Sequence, residues 1–478
     1  MFRSLRYVFF FITLFMICEV HVINAVETND AFVRACKENR VDVVKRLLKE
    51  GVDPNSRNRE GKDALYVSSI YGNVEIVQLL LDSGARVNTG PNGSSNGLIA
   101  ASSNGHAEVV RRLLKNGANI NAENRWGRNP LRRASHFGRN EVIKILLENG
   151  ADIHSKNNIG RTALMSASYS SGDADTVRLL LENGADVHAR DHTKDTALTL
   201  GCSHDCPEIV NILIQYKANI NERGRGGSTA LLNACKRGNL GTVKVLLENG
   251  ADVNIQYQLR DPQAMTVTRS SSSRVGKGKG IALSGSWGYK SISAGMPNGK
   301  VFSRITTHKM TALMEAIQSV DMQIVKLLLK FGAKVNYRDA QGNTALMFAC
   351  ATGRKDIVNL LLEKKADIHA VNVDGHTALT WAVANNDLEI LKLLVQKGAK
   401  LEVISRSTGE NILILAAKTG STEMASYLLK NSAEVNWRDD KNGLTALMVA
   451  SSGGYSEVVR LLLNKGALID IKNKKTTF

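Results

Sequence analysis

Arginine and large aromatic side chains are concentrated in one short segment of this 478-residue chain. The residues that give the segment this character are Arg125, Trp126, Arg128, Arg132, Arg133, His136 and Phe137. Guanidinium groups pair with carboxylates and aromatic rings offer large apolar areas, so the two together are typical of residues that dominate binding at protein interfaces. No acid lies between Glu123 and Glu141. The segment predicts a surface for a partner with acidic and apolar groups; the alternative is that Trp126 only covers a loop beside solvated arginines.

Two other short motifs contain residue types that could bind phosphate or a metal ion, and both are weak signals. The run Gly276–Lys277–Gly278–Lys279–Gly280 resembles a phosphate loop superficially, but it lacks the Walker spacing and a Ser or Thr after the lysine. The run His204–Asp205–Cys206 offers too few ligands for a metal ion. No Ser/His/Asp, Cys/His or paired-carboxylate arrangement stands out. We therefore expect no enzyme, no cofactor and no metal, and an active site around Lys277 and Lys279 is a minor alternative.

An internal repeat predicts the helices and turns that hold the arginine and aromatic residues in place. The segment Thr-Ala-Leu recurs, with its alanines at Ala163, Ala197, Ala230, Ala312, Ala345, Ala378 and Ala446. From 163 to 230 and again from 312 to 378, successive alanines are 33 or 34 residues apart, and the step from 230 to 312 is 82 residues. A period of this size indicates one supersecondary unit stacked on copies of itself, because no single unit can bury its apolar face alone.

One repeat shows what each unit contains. Thr344 is a good N-cap for a first short helix, which Gly353 ends. The run from Asp356 to Leu362 carries an apolar stripe at helical spacing and predicts a second helix. A polar link such as 336–342 then forms a turn that reaches the next repeat.

The order of loop, helix, turn and helix, together with the sequence pattern of the repeats, resembles the ankyrin family. The family pattern T-P-L-H-x-A-A appears here as T-A-L-M-x-A-x, and E-V-V-x-L-L-L-x-x-G-A-D-V-N is nearly intact, as at 175–188. Proline survives in the second position only at Pro130, and no repeat keeps the histidine. The match runs from about Asp30 to Asp470 apart from one insertion. The resemblance implies an all-α ankyrin-repeat solenoid of about twelve repeats, the first without its finger loop and the last acting as a cap.

The resemblance also implies where a partner docks. Family members bind partners on a concave side formed by the finger tips and the exposed face of the first helices. On that side the arginine-rich repeat around Pro130 is flanked by Arg59 and Tyr71 in one direction and by Arg161 in the other. We therefore expect a monomeric, non-enzymatic scaffold that binds a protein through this surface.

The N-terminal residues 1–25 predict a signal peptide. Arg3 and Arg6 precede an apolar stretch from Tyr7 to Cys18, and Ala25 is a plausible cleavage site. The stretch is short for a membrane span. We expect export, either secreted or into a periplasmic or lumenal space. The alternative is an uncleaved N-terminal membrane anchor, which is the only membrane association that we expect.

A large share of the net charge of +17 lies in the segment that breaks the repeat, where eight basic residues stand against one acid and give +7. Residues 26–255 and 309–470 form two blocks of repeats, 256–308 form a basic Gly/Ser-rich insertion, and 471–478 form a basic tail. The insertion holds Lys277, Lys279 and six further basic residues against the single acid Asp261, and it is either an exposed linker or a flexible arm for an acidic partner. This distribution does not favour nucleic acid as the partner, because a duplex needs a continuous basic stripe. Binding of nucleic acid or an anionic surface through the insertion and the arginine-rich repeat is the second hypothesis.

Several unusual residues fall at framework positions of the repeat. Cys36, Cys202, Cys235 and Cys350 occupy one shared position and are expected to be small core residues. Phe348 and Trp381 also share a position, and we expect both to pack in the core.

Overall fold

The computed structural model describes residues 27–90, 96–170, 173–257, 309–406 and 408–474. The predicted signal peptide lies outside these residues. So do residues 258–308 of the predicted insertion, with Lys277 and Lys279, and residues 475–478 of the predicted tail. Over the described ranges, no helix combines the length and apolar character that crossing a bilayer requires.

The described helices follow one another in pairs, which we call the first and second helix of each repeat, and the chain forms two compact units, Met1–Gly224 and Arg225–Phe478. In the first unit the helices are α1 (27–37), α2 (Val41–Lys49), α3 (Ala64–Tyr71), α4 (Val74–Asp82), α5 (Gly97–Asn104), α6 (Ala107–Lys115), α7 (Pro130–His136), α8 (Asn140–Glu148), α9 (Ala163–Tyr169), α10 (Ala174–Glu182), α11 (Ala197–Gly201) and α12 (Pro207–Gln215). In the second unit, after a 3-10 turn at Arg225–Gly227, they are α13 (Ala230–Arg237), α14 (Leu240–Glu248), α15 (Ala312–Gln318), α16 (Met322–Lys330), α17 (Ala345–Ala351), α18 (Lys355–Glu363), α19 (Ala378–Ala384), α20 (Leu388–Gln396), α21 (Ile412–Thr419), α22 (Thr422–Lys430), α23 (Ala446–Ser452) and α24 (Ser456–Asn464).

The Thr-Ala-Leu segment starts the first helix of a repeat. In α9 the Thr162 side chain accepts a hydrogen bond from the backbone N–H of Met165, three residues on, and so satisfies one of the free amides at the helix end. Asp63, Asn96 and Asn129 cap α3, α5 and α7 in the same way. The alanine and leucine that follow the cap are buried throughout, which explains why these three residues recur.

Each helix pair buries its apolar residues against the next pair. Within the first unit α3, α5, α7 and α9 pack side by side, and the second helices α4, α6, α8 and α10 form a parallel row of contacts. Leucines of the second helices, among them Leu80, Leu113 and Leu146, are fully buried, and each contributes about 1.5–3 kcal/mol by leaving water. The four cysteines at the shared repeat position are fully buried, which confirms them as core residues.

A short antiparallel pairing closes the base of a finger. Arg57 pairs with Asp63 across one finger of the first unit, and in the second unit Gln256 pairs with Thr311. The backbone N–H of Tyr257 also donates to the Met310 carbonyl. Gln256 and Tyr257 therefore belong to the finger base and not to the insertion, whose remaining residues follow Tyr257.

Arg132 is not on the exposed surface where the sequence analysis placed it. It is the third residue after the cap of α7, the position that Met165 and Met347 fill in other repeats, and it is only 3% exposed. Its Nη2 lies 3.5 Å from Oε1 of Glu123, and Nε and Nη2 have no hydrogen-bond partner in the described part of the chain. Burial lowers the pKa of Arg132 to about 10, so the guanidinium is still charged at neutral pH.

Replacing this buried cation by the residue of its sister repeats should stabilise the first unit. Exchanging buried ionic groups for apolar residues of similar volume is often neutral or stabilising, and Glu123, whose side chain is 43% exposed, is not left behind as a buried charge. Arg132→Met should raise the opening free energy of α7 by about 1–3 kcal/mol, read from hydrogen exchange of its backbone amides. Arg132→Ala, which leaves a void, should lower it. Faster exchange in the methionine variant would show that the Glu123 pair is a net stabiliser.

Glu315 is a second polar residue buried in a first helix, in the second unit. It lies four residues after the cap of α15, is 2% exposed, and its Oε1 has no hydrogen-bond partner among the described residues. Burial raises the pKa of the Glu315 carboxyl to about 7, against smaller opposing effects of Lys236 and of a hydrogen bond with Tyr257. The folded protein therefore holds a proton here that the unfolded chain loses at lower pH.

The stability of the second unit should consequently fall as pH rises from about 4.5 to about 7, and then level off. Between these pH values the Glu315 carboxyl is ionised in the unfolded chain and protonated in the folded protein. The free energy of unfolding therefore falls by roughly 3 kcal/mol over the full shift. Glu315→Gln should remove this dependence, so its advantage over wild type in urea unfolding should grow with pH across the window. Parallel pH profiles of the two proteins would contradict the assignment.

Candidate functional site: a groove in the first unit

A groove of about 410 Å³ opens across three consecutive repeats of the first unit. It is lined by Tyr66, Ile70, Ile99, Ala100, Ser103, Asn104, Asn124, Trp126, Arg128, Arg133, Phe137 and Arg139. Its volume falls in the range of pockets that enclose small ligands or a few side chains. We call this feature the arginine–aromatic groove.

The groove exists because the middle repeat carries small residues where its neighbours carry large ones. Ala100 of α5 and Arg133 of α7 both lie four residues after their caps, and Asn104 and Phe137 both lie eight residues after them. The side chains of α5 therefore form a low floor. Residues of α3 make one wall, and α7 with the finger before it makes the other.

Hydrogen bonds of the finger hold Trp126 at the groove. The Asn124 side chain accepts from the backbone N–H groups of Trp126 and Arg128, both at 3.0 Å. Gly127 between them has φ +65°, and a Cβ there would meet Oδ1 of Asn158 at 2.4 Å, so this turn requires glycine. Trp126 is thereby fixed with 44% of its surface exposed.

Arginines stack on both exposed aromatic rings. The Cζ of Arg125 lies 4.0 Å from the Trp126 ring centroid, and that of Arg128 lies 5.5 Å from it. The Cζ of Arg133 is 4.5 Å from the centroid of Phe137, which is 41% exposed. Cation–π contacts of this kind contribute about 0.5–1 kcal/mol at exposed sites and pre-order the guanidinium planes.

One serine holds two of the arginines. The Nε of Arg133 donates to Oγ of Ser103 at 3.0 Å, and the Nε of Arg139 donates to the backbone carbonyl of Ser103 at 3.2 Å. Ser103 is the penultimate residue of α5, where helix carbonyls have no partner within the helix, so its carbonyl is free to accept. The two guanidinium groups are anchored by their inner nitrogens on a single residue of the neighbouring repeat.

The arginines give the groove a positive charge that no carboxylate of the described residues neutralises. Over the described ranges, none of the arginines on the groove or its rim forms an ion pair: these are Arg125, Arg128, Arg133 and Arg139. Burial, and then the charge of Arg128, lower the pKa of Arg133. Burial, and then the charge of Arg133, lower the pKa of His136, which is therefore neutral at pH 7 and packs edge-on against Phe137 at 4.8 Å.

The flanking residues predicted from sequence do not line the groove. Arg59 forms a 2.9 Å ion pair with Asp30, and Arg161 lies 3.2 Å from the buried carboxylate of Asp191. Tyr71 is 48% exposed, with the Lys37 ammonium 5.6 Å from its ring. The charges of both flanking arginines are thus already balanced within the protein.

Five of the predicted residues converge on the groove or its rim: Arg125, Trp126, Arg128, Arg133 and Phe137. Tyr66, Ile70, Ser103, Asn104 and Arg139 also line the groove, and none of them is among the residues predicted from the sequence. Ile70 and Ser103 align with His136, and Asn104 aligns with Phe137, so their places after the helix caps could have revealed them. Tyr66 aligns with the buried Arg132, and this signal does not reveal it. In the second unit, Phe348 is 4% exposed, which confirms it as a core residue, and Trp381 is half-buried.

Within the described part of the chain, no three His, Cys, Asp or Glu side chains are placed to hold a metal ion together. Comparison with curated proteins found no match to this chain. The family described as "Ankyrin repeats (3 copies)" matches residues 7–91, 98–191, 164–257, 296–372, 313–405 and 379–473, which together span most of the sequence. With its paired helices and capped first helices, the chain belongs to the ankyrin-repeat family, whose repeats generally mediate protein–protein interaction.

Proposed function

We propose that this protein is a non-enzymatic scaffold that binds a protein partner through the arginine–aromatic groove of its first unit. The observation that carries the proposal is the pair of exposed rings, Trp126 and Phe137, each stacked by an arginine that no carboxylate of the described residues neutralises. Exposed tryptophan and arginine are the residue types most enriched among binding hot spots.

The rigidity of the groove supports this role. Side chains that are already ordered lose less conformational freedom on binding, so more of the contact energy appears as affinity. Asn124 fixes the backbone beneath Trp126, and Ser103 fixes Arg133. The groove therefore resembles a pre-organised binding surface more closely than a set of freely solvated side chains.

Export of the scaffold is a further part of the proposal. It rests on the sequence of residues 1–25 alone, with the charged start at Arg3 and Arg6 and the apolar stretch that follows. N-terminal sequencing of the protein from the exported fraction should show a start after Ala25. An intact N-terminus in the membrane fraction would favour the uncleaved anchor instead.

Removing the hot-spot side chains should abolish partner binding and leave the fold intact. The triple variant Arg125→Ala, Trp126→Ala and Phe137→Ala should weaken the partner's Kd by at least about 100-fold, since hot-spot truncations cost about 2 kcal/mol or more. The partner would be isolated by affinity capture and its Kd measured by calorimetry with the purified proteins.

A matched control removes one arginine and two exposed aromatics elsewhere: Arg460→Ala, Tyr216→Ala and Phe331→Ala. This control should bind like wild type, and both variants should keep the helical circular-dichroism signal. Equal affinity of the groove variant and wild type would place the binding surface elsewhere.

Salt dependence separates this proposal from binding of nucleic acid or an anionic surface. A groove that engages a few carboxylates should lose about tenfold or less in affinity between 50 and 200 mM salt, whereas many phosphate contacts lose about 10³-fold or more. Kd would be measured by fluorescence anisotropy at both salt concentrations, for the captured protein and for a mixed-sequence DNA duplex. Tighter binding of the duplex with a steep salt response would overturn the scaffold assignment.

A further inference from the structure

We infer that the partner presents an acidic, extended peptide segment to the groove, with a carboxylate on the Arg133–Arg139 pair and an apolar side chain against Trp126 and Phe137. This inference rests on the proposed function and specifies the chemistry of its ligand. Its observations are the shared anchor at Ser103, the absence of a neutralising carboxylate among the described residues, and the size of the groove.

The shared anchor leaves the binding edges of both guanidinium groups free. Each arginine uses its Nε on Ser103, and no protein partner of its terminal nitrogens appears in the described part of the chain. A carboxylate accepts two parallel hydrogen bonds from a guanidinium, and this bidentate pairing is among the strongest polar contacts in proteins. Ser103 Oγ itself donates to the Ile99 carbonyl at 2.7 Å, one turn earlier in α5, so the anchor is itself fixed.

The charge of the groove needs a counter-charge from outside. Arg128 and Arg133 lie close enough that the positive charge of Arg128 adds to burial in lowering the pKa of Arg133. The carboxylates near this surface are committed elsewhere: Glu123 faces Arg132, and Glu141 pairs with Arg111 of α6. An incoming carboxylate relieves the repulsion between the arginines, so part of the binding free energy comes from the groove itself.

The apolar side chains of the groove are the reason to expect an apolar side chain in the partner segment. Trp126 and Phe137 expose ring surface on one side, and Tyr66 and Ile70 face them from α3 across the small residues of α5. A cavity of about 410 Å³ accommodates a few side chains of an extended segment, and it is smaller than a docked helix or a duplex requires. Arg133 is half-buried in the wall of the groove. A peptide side chain that enters the groove can reach it there, whereas a flat partner surface cannot.

The test is selection of a random twelve-residue peptide library on phage against the full chain, followed by synthesis of the enriched peptides. The enriched peptides should contain at least two Asp or Glu within three residues of an aromatic or large aliphatic residue. Replacing those acids by Asn or Gln in the synthetic peptide should weaken its Kd at least tenfold by fluorescence anisotropy. This arm changes the peptide only, so it does not depend on the folding of a protein variant.

Protein variants then locate the contact. Arg133→Gln with Arg139→Gln should weaken the acidic peptide at least tenfold and leave its Asn/Gln version unaffected. Ser103→Ala changes no charge and should weaken the Kd of the acidic peptide about threefold, because Arg133 loses the hydroxyl that holds its Nε. The matched control Arg237→Gln with Arg460→Gln removes two exposed arginines of the second unit, neither of which lines the groove, and should have no effect.

The outcomes separate this inference from the proposed function. Peptides that lose binding in Trp126→Ala but show no acidic bias would overturn the ligand chemistry and leave the groove as the binding surface. Recovery of no peptide that depends on Trp126 or Phe137 would overturn both. At least tenfold tighter binding of a peptide with phosphoserine in place of its acids would overturn the carboxylate assignment in favour of a phosphorylated segment.

Discussion

The hydrogen bond that a capping side chain accepts from the backbone N–H three residues later sets the register of each described repeat. Thr162 makes it in α9, and aspartate or asparagine makes it where threonine is absent. Once the cap is fixed, the next two residues are buried and the fourth lies toward the neighbouring first helix. In the first unit, the seventh and eighth residues after the caps of α3, α5, α7, α9 and α11 are partly or fully exposed at the helix end. The chemical role of a residue in this protein therefore depends mainly on its distance from the nearest cap.

This dependence explains which features could be predicted from the sequence. The all-α repeat fold, the buried cysteines and the exposure of Trp126 and Phe137 all follow from counting along the repeat. Arg132 was misplaced because arginine is usually exposed, and here position within the repeat outweighed residue type. The groove was not visible in advance, since it arises from the small side chains of α5 and not from any conspicuous residue. The anchoring of two arginines on Ser103 required coordinates, because the contacts span 30 and 36 residues.

The two buried ionisable residues show what the scaffold tolerates. Arg132 and Glu315 occupy positions that are apolar or small in most repeats, and both are left with unsatisfied polar atoms in the described part of the chain. A stack of repeats distributes its stability over many similar interfaces, so one costly residue weakens a local interface without unfolding its neighbours. The repeat framework can thus tolerate single residues that depart from the repeat pattern. The arginine–aromatic groove uses the same freedom at exposed positions.

The contact between Ser103 and the arginines of the following repeat also bears on how such a chain can change over generations. Arrays of this kind lengthen and shorten by duplication or loss of a whole unit, and the stacking of identical interfaces survives either event. The arginine pair would not survive a unit inserted between α6 and α7, because its anchor and its guanidinium groups come from different units. The arginine pair is therefore inherited only together with the repeat that anchors it, and the whole groove only as three consecutive repeats.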